Sequence, residues 1–346
     1  MTTIQQALTE GIQRLTQSNQ ASAQPENQES DHADQGDREG RPYHTTHRPT
    51  MPVQGTGDPR GRPGPPRHIS SPDLRPGSDS LDAQLLLSHV LQVERSILYA
   101  YPERELTPAQ EQQYLALIER RARDEPIAYL VGHKEFYGLD LLVDRRVLIP
   151  RPETELLVEI ALRICRDKIE SGNTPIVADI GTGSGAVPIA LAVNEPRLPY
   201  LYATDISDDA LAVAAINCQR HHVEQRVRLL QGDLIAPLPE PVDVLTANLP
   251  YVGTDETPLL FSDVYDYEPH LALFSGPDGL DLIERLFTEL ARSSTLKAEA
   301  VVLLEIGYRQ RESLQRLLHT LWPQAKLKFY RDYAGWDRVL QINWNG

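Results

Sequence analysis

The sequence predicts an α/β fold, a doubly wound and mostly parallel sheet preceded by a small helical domain, and three observations carry that reading. After Pro150 strand and helix patterns alternate, a glycine-rich turn follows an apolar strand near residue 180, and the region before residue 134 shows only helical periodicity apart from a Pro/Gly-rich stretch.

The α/β part is read over 154–346, with strands over 175–179, 200–204, 226–230, 242–247 and 300–305. Helices are predicted over 154–166, from Gly185, and over 208–219, 280–291 and 309–321, with Asp208 and Asp209 as helix-start caps. Two last strands, 327–330 and 338–342, lie too close for a crossover helix and are expected to pair antiparallel. Ahead of this, 134–153 reads as a connector hairpin with Gly138 at its centre.

Residues 1–18 form a first helix with Ile4, Leu8, Ile12 and Leu15 on one face. Between 19 and 80 lie ten of the 27 prolines and seven of the 21 glycines, with too few apolar residues to offset ordering entropy, so this stretch is expected to be a disordered insertion. The rest of the helical domain occupies 81–133, where Thr107-Pro108 marks a helix start by cap and first-turn proline.

Composition narrows the function. The chain has 346 residues with a net charge of −15, and the acid excess is spread along it, which argues against extended nucleic acid as a direct partner. No apolar run approaches the roughly 20 residues that span a bilayer, and the first residues lack a secretory pattern, so a soluble, cytoplasmic protein without membrane contact is expected. Cys165 and Cys218 sit in apolar helical patterns as core residues, and no His spacing suits a metal, so none is expected.

The chemistry concentrates at strand ends. Asp179 leads into Ile180-Gly181-Thr182-Gly183-Ser184-Gly185-Ala186, a turn where such sheets bind ligands. Gly181-x-Gly183-x-x-Ala186 also satisfies a dinucleotide fingerprint, with Asp205 about 20 residues on. Asp179 favours a different ligand: a carboxylate there repels a pyrophosphate but attracts the ammonium and sulfonium of S-adenosyl-L-methionine, by about 4 kcal/mol at about 4 Å in an effective dielectric near 20. Asp205 ends the second strand, where it can accept bonds from both ribose hydroxyls. Asp233 and Leu234, after the third, suit an adenine amino group and ring, although an Asp turn explains them equally.

The most informative segment is Asn248-Leu249-Pro250-Tyr251, leaving the fourth strand beside the glycine loop. An amide nitrogen is a poor nucleophile. The Asn248 side-chain oxygen and the carbonyl of Leu249 or Pro250 form two acceptors for an NH2 group, fixing its orientation and stabilising the charge that grows on it, while Tyr251 walls the pocket.

In order, Ile149-Pro-Arg-Pro-Glu-Thr-Glu155, Asp179 to Ala186, Asp205-Ile-Ser, Asn248 to Tyr251, and Tyr267-Glu-Pro-His-Leu-Ala-Leu-Phe-Ser-Gly276 resemble the HemK/PrmC release factor glutamine methyltransferases. The resemblance covers nearly everything except 19–80. It implies a class I S-adenosylmethionine-dependent methyltransferase, Rossmann-like with a seven-stranded sheet. A helical domain would grip a class 1 peptide chain release factor, and the glutamine of its Gly-Gly-Gln motif would be methylated on the side-chain amide nitrogen. It further implies cofactor contacts from Gly181, Thr182, Gly183, Ser184, Gly185, Asp205, Leu234 and Asn248, and glutamine contacts from Asn248, Leu249, Pro250 and Tyr251. One position departs: the family usually carries Asn-Pro-Pro-Tyr, and Leu249 gives the form seen in adenine dimethylases of ribosomal RNA. An adenine amino-group methyltransferase, a ribosomal-protein glutamine methyltransferase and a non-catalytic binding module are the alternatives.

Overall fold

The computed structural model describes residues 2–22 and 78–344. Most of the stretch expected to be an insertion, 23–77, lies outside the described residues, and its boundaries move inward at both ends. The first helix, α1, runs Ile4–Ser22, and α2 runs Asp79–Leu91. Asp79 ties the two together, accepting hydrogen bonds from Thr16 Oγ1 at 2.8 Å and Asn19 Nδ2 at 2.7 Å.

With α3 (Arg95–Ala100), α4 (Pro108–Arg121) and α5 (Ile127–Val131), these helices close on a core of Ile4, Ala7, Leu15, Leu86, Leu87, Tyr114 and Ile118. Thr107 caps α4 through a reciprocal capping box with Gln110, satisfying donors that the first turn leaves open. The short helices α3 and α5 have too few residues to show a periodicity and escape a reading of pattern alone.

The connector is a hairpin of β1 (His133–Phe136) and β2 (Leu139–Leu142), turned by Tyr137 and Gly138 with φ of 53° and 74°. Two successive left-handed residues make the type I′ geometry that matches strand twist.

From here the chain runs through α6 (Glu155–Glu170), β3 (Val177–Ile180), α7 (Ala186–Asn194), β4 (Leu201–Asp205), α8 (Asp208–Arg220), β5 (Val227–Gln231) and β6 (Val242–Ala247). It continues with α9 (Ser262–Tyr267), α10 (Asp281–Arg292), β7 (Leu296–Glu305), α11 (Arg311–Leu321), β8 (Lys326–Arg331) and β9 (Asp337–Asn343). The seven-stranded sheet has the order β5-β4-β3-β6-β7-β9-β8, with β9 antiparallel to both neighbours as the spacing of the last strands required. Helices α6 and α7 cover one face and α10 and α11 the other, so the central strands are apolar on both sides. Cys165 and Cys218 are free and buried in the first of these layers.

Strand β7 begins before the expected residue 300, and Glu299, at φ 60°, breaks its alternation. The cap of α8 is Ser207, whose hydroxyl accepts from Ala210 N, while Asp208 and Asp209 occupy the first turn, where they face the helix dipole instead of capping it.

The topology places the site. Strand order reverses between β3 and β6, which pair in parallel with Ile180 beside Ala247, so the turn after β3 and the segment after β6 open side by side.

Candidate active site

A cavity of about 320 Å³ opens at this reversal, lined by Asp179, Gly181, Thr182, Gly183, Ser184, Asp205, Asp233, Leu234, Asn248, Leu249 and Pro250 among others. A second, about 650 Å³, shares Asn248, Leu249 and Pro250 with the first and adds Tyr251, Glu305 and Arg338. Twelve of the thirteen residues singled out from the sequence thus meet at two adjoining cavities. Gly185 lines neither. It starts α7 at φ 81°, and a side chain there would press on Ile189 and on Ala214 of α8, so its smallness serves helix packing.

The turn after β3 is held from β4. Gly181 N and Thr182 N donate to Thr204 O, and Gly183 N donates to Asp205 Oδ2 at 2.8 Å. Gly183 sits at φ 55° with open space where a Cβ would stand, so the backbone itself faces the cavity. Asp205 Oδ1 accepts from Ser207 N at 2.9 Å. Each carboxylate oxygen keeps a second lone pair for a ligand hydroxyl. Burial raises the Asp205 pKa, opposed by these backbone N–H groups.

Asp179 is buried and accepts from Thr246 Oγ1 at 2.7 Å. Burial pushes its pKa up to about 7, with the Thr246 and Thr182 hydroxyls opposing. Asp233 forms an ion pair with Arg285 at the cavity edge, so it is already partnered. Leu234 is buried in a left-handed conformation at φ 46°.

Asn248 is the hinge between the cavities. Its Nδ2 donates to Thr154 Oγ1 at 3.1 Å. Leu249 is 4 % exposed, and its Cδ2 would lie 3.0 Å from a Cβ on Gly181, so this side chain supports the glycine turn from below. Tyr251 donates its hydroxyl to Glu305 Oε1 at 3.2 Å, and its carbonyl accepts from Gln310 Nε2 at 3.1 Å. Gln310 also donates to Gly279 O at 3.2 Å. Added Cβ atoms would meet Tyr251 O at 2.0 Å from Gly279 and Pro277 O at 2.3 Å from Gly253, so these segments cross backbone to backbone.

Sequence reasoning missed the supporting side chains: Thr154, Arg151, Glu268, Thr246, Glu305 and Gln310. Arg151, which lines both cavities, pairs with Glu268 at 2.6 Å. One signal was available: Glu305 directly follows the apolar run Ala300 to Leu304 and so stands at the carboxyl end of a strand, where such sheets bind ligands.

The residues fit S-adenosylmethionine. A buried carboxylate stands at one end, a second carboxylate beside the glycine turn matches ribose hydroxyls, and Leu234 and Ile206 offer an apolar wall for a purine. A diphosphate would have to approach both acids.

Comparison with known proteins agrees. The profile described as PrmC N-terminal domain matches residues 74–132, and that described as methyltransferase small domain matches 158–261. A release factor glutamine methyltransferase of Koribacter versatilis is 38% identical over 79% of this chain and 94% of its own length. Its counterpart in Moorella thermoacetica is 41% identical over 75% of this chain and 89% of its own, and that of Bacillus cereus 37% identical over 76% and 92%. With a seven-stranded methyltransferase sheet, a helical N-terminal domain and relatives matched over nearly their whole length, the chain belongs to the release factor glutamine methyltransferase family.

Proposed function

We propose that this enzyme methylates the side-chain amide nitrogen of the glutamine in the Gly-Gly-Gln motif of class 1 peptide chain release factors. The carrying observation is the shared wall Asn248-Leu249-Pro250 between the smaller cavity, which suits the cofactor, and the larger one, which suits a loop of a protein. S-adenosylmethionine, when bound, supplies an electrophilic methyl group on a sulfonium.

The chain's residues do the rest by placement. Asp179 offers negative charge to the cationic end of the cofactor, Asp205 accepts from its ribose, Gly181, Thr182, Gly183 and Ser184 present backbone to it, and Leu234 packs on its base, with Asp233 at the edge. Because Asn248 spends its NH2 on Thr154, its Oδ1 is left to accept one N–H of the substrate amide. A carbonyl of Leu249 or Pro250 accepts the other, and Tyr251 closes the side. The amide nitrogen forms the new N–C bond, the C–S bond breaks with its electron pair left on sulfur, and the nitrogen's surplus proton passes to water. Two fixed acceptors stabilise the charge that grows on nitrogen, so no base within the site is required.

Leu249 belongs to this scheme through its backbone, since its side chain is spent under Gly181. The test is mass spectrometry of a release factor after incubation with enzyme and cofactor, alongside its Gln→Ala variant and ribosomal RNA. A mass gain of one methyl on the Gly-Gly-Gln peptide is expected. Label in RNA with the factor untouched would overturn the reading.

A further inference from the structure

The two cavities differ in charge. The smaller is balanced, with Asp179, Asp205 and Asp233 against Arg146, Arg151 and Arg285. The larger is lined by six acids, Glu153, Asp255, Glu256, Asp278, Glu305 and Asp332, against three arginines. Two of those arginines are already paired, Arg151 with Glu268 at 2.6 Å and Arg338 with Asp332 at 3.3 Å. The third, Arg309, lies 5.0 Å over the Tyr308 ring. With Asp332 taken from the six, five carboxylates of the larger cavity have no ion-pair partner among the described residues. The excess is local to the substrate side, since the smaller cavity of the same acidic chain carries none.

These five come from separate elements. Glu153 stands on the turn Pro152–Thr154, Asp255 and Glu256 on the turn Thr254–Leu259, Asp278 ahead of α10, and Glu305 at the end of β7. Among the described residues no three acids, histidines or cysteines gather as a metal ion would need, so the charge is spread around the cavity and not focused at one point. Four of the five are exposed or half-buried. Glu305 is 1% exposed, and its Oε2 is buried without a hydrogen-bond partner, an acceptor that a ligand N–H would satisfy. Tyr308 and Trp336 line the same space, with ring centroids 5.4 Å apart at 67°. Carboxylates and aromatic faces around one space suit an organic cation, which gains charge-assisted hydrogen bonds from the first and the ring quadrupole from the second.

We propose that the larger cavity reads the charge of the residues beside the glutamine, taking a Lys or Arg side chain of the release-factor loop among its carboxylates and the Tyr308 and Trp336 rings. The inference rests on the substrate assigned above and adds a rule of selection to it. A cationic flank is drawn in, a neutral one is taken less readily, and an acidic flank or a phosphate backbone is repelled. Because most of these acids reach solvent, the preference acts on encounter and binding, shows in KM before kcat, and weakens with salt.

The experiment uses the full-length enzyme and one release factor in three versions, with Lys, Gln or Glu at the positions flanking the Gly-Gly-Gln triplet. kcat/KM is expected to fall in the order Lys, Gln, Glu, by at least about tenfold across the series at low salt and by less than about threefold at about 0.5 M sodium chloride. In the Asp255→Lys/Glu256→Lys enzyme the order should reverse while cofactor Kd stays within about twofold, a swap of preference that a merely structural role for these acids would not produce. Should that enzyme fail to fold, Asp255→Asn/Glu256→Gln must flatten the series. Equal kcat/KM for the three factors, or an order that survives these substitutions, overturns the proposal.

Binding separates this inference from the substrate assignment. Calorimetric titration of each factor into the enzyme is expected to give Kd values in the same order as kcat/KM. If no version is methylated yet Kd follows that order and inverts in the Lys variant, the charge reading stands and the substrate assignment falls. If all three are methylated and bind alike, the substrate stands and the charge reading falls. Ribosomal RNA that binds as tightly as the Lys version also overturns it, because an acid-lined cavity cannot favour phosphate.

Discussion

Arg151 and Glu268, 117 residues apart, meet with Nη2 2.6 Å from Oε1 and join two sequence blocks that have no visible relation in the chain. Arg151 leaves the connector ahead of the short turn Pro152–Thr154, and Glu268 follows α9. Glu268 is buried, burial raising its pKa and the Arg151 guanidinium opposing. The pair fastens the connector to the segment that follows Asn248, so it braces the site.

Removing one partner of such a pair leaves a buried carboxyl without its cation. Arg151→Met is expected to cost about 3 to 5 kcal/mol of stability, and adding Glu268→Leu should recover part of it, since the stranded group is gone. Urea denaturation of the three proteins measures this. Equal midpoints for the wild type and Arg151→Met would show that water replaces the cation.

Asp205 touches the glycine turn and faces the ligand. Asp205→Ala is expected to weaken cofactor binding by about 1.5 to 3 kcal/mol, the range for hydrogen bonds to a charged acceptor. Calorimetric titration reads it directly, and an unchanged dissociation constant would place the cofactor elsewhere.

Asp179 makes cofactor affinity depend on pH. Its pKa of about 7 means the free protein holds a proton there in mild acid and sheds it in mild base, and only the ionised form attracts a cation. Affinity for S-adenosylmethionine should climb from pH 6 to pH 8 and then level off. The linked effect on stability has the opposite sign: the folded pKa lies above the unfolded one, so the contribution is full in acid and is lost as pH rises through about 7. Titrations at three pH values with Asp179→Asn as control check the first, and a flat wild-type response would refute it.

Replacing 23–77 by a linker of about six residues, which spans roughly 20 Å extended, should leave melting temperature and turnover nearly unchanged. Asp79 holds Thr16 and Asn19 by side-chain contact, so the flanking helices are already close. A drop of more than a few degrees would mean that the replaced residues contribute to packing.

How much of this was legible depends on what each residue's partners are. Val242–Ala247 was readable to the residue because a strand buried on both faces is mostly apolar, here interrupted only by Asp243 and Thr246. Asn248 was legible as one of a pair of acceptors, since its chemistry is local. Its partner Thr154 stands in plain view in Ile149 to Glu155, yet nothing in the spacing of 154 and 248 says that they touch. The same holds for Thr246 under Asp179. Gly185 looked like its neighbours in the turn, and only the approach of Ala214 separates a packing glycine from those that face the ligand. The turns between Thr254 and Ala272 gave no pattern because short 3₁₀ and helical pieces carry no period.

The backbone crossing of Tyr251 with Gly279, and of Gly253 with Pro277, has a bearing on how substrate arrives. With a carbonyl where each missing Cβ would be and Gln310 clasping both chains, the Asn248 to Tyr251 strip has nowhere to recoil. Adaptation at binding therefore falls to the incoming loop. The pace of productive encounters is then a property of the substrate's suppleness, and stiffening that loop in the wrong shape should starve the enzyme without touching a single one of its residues.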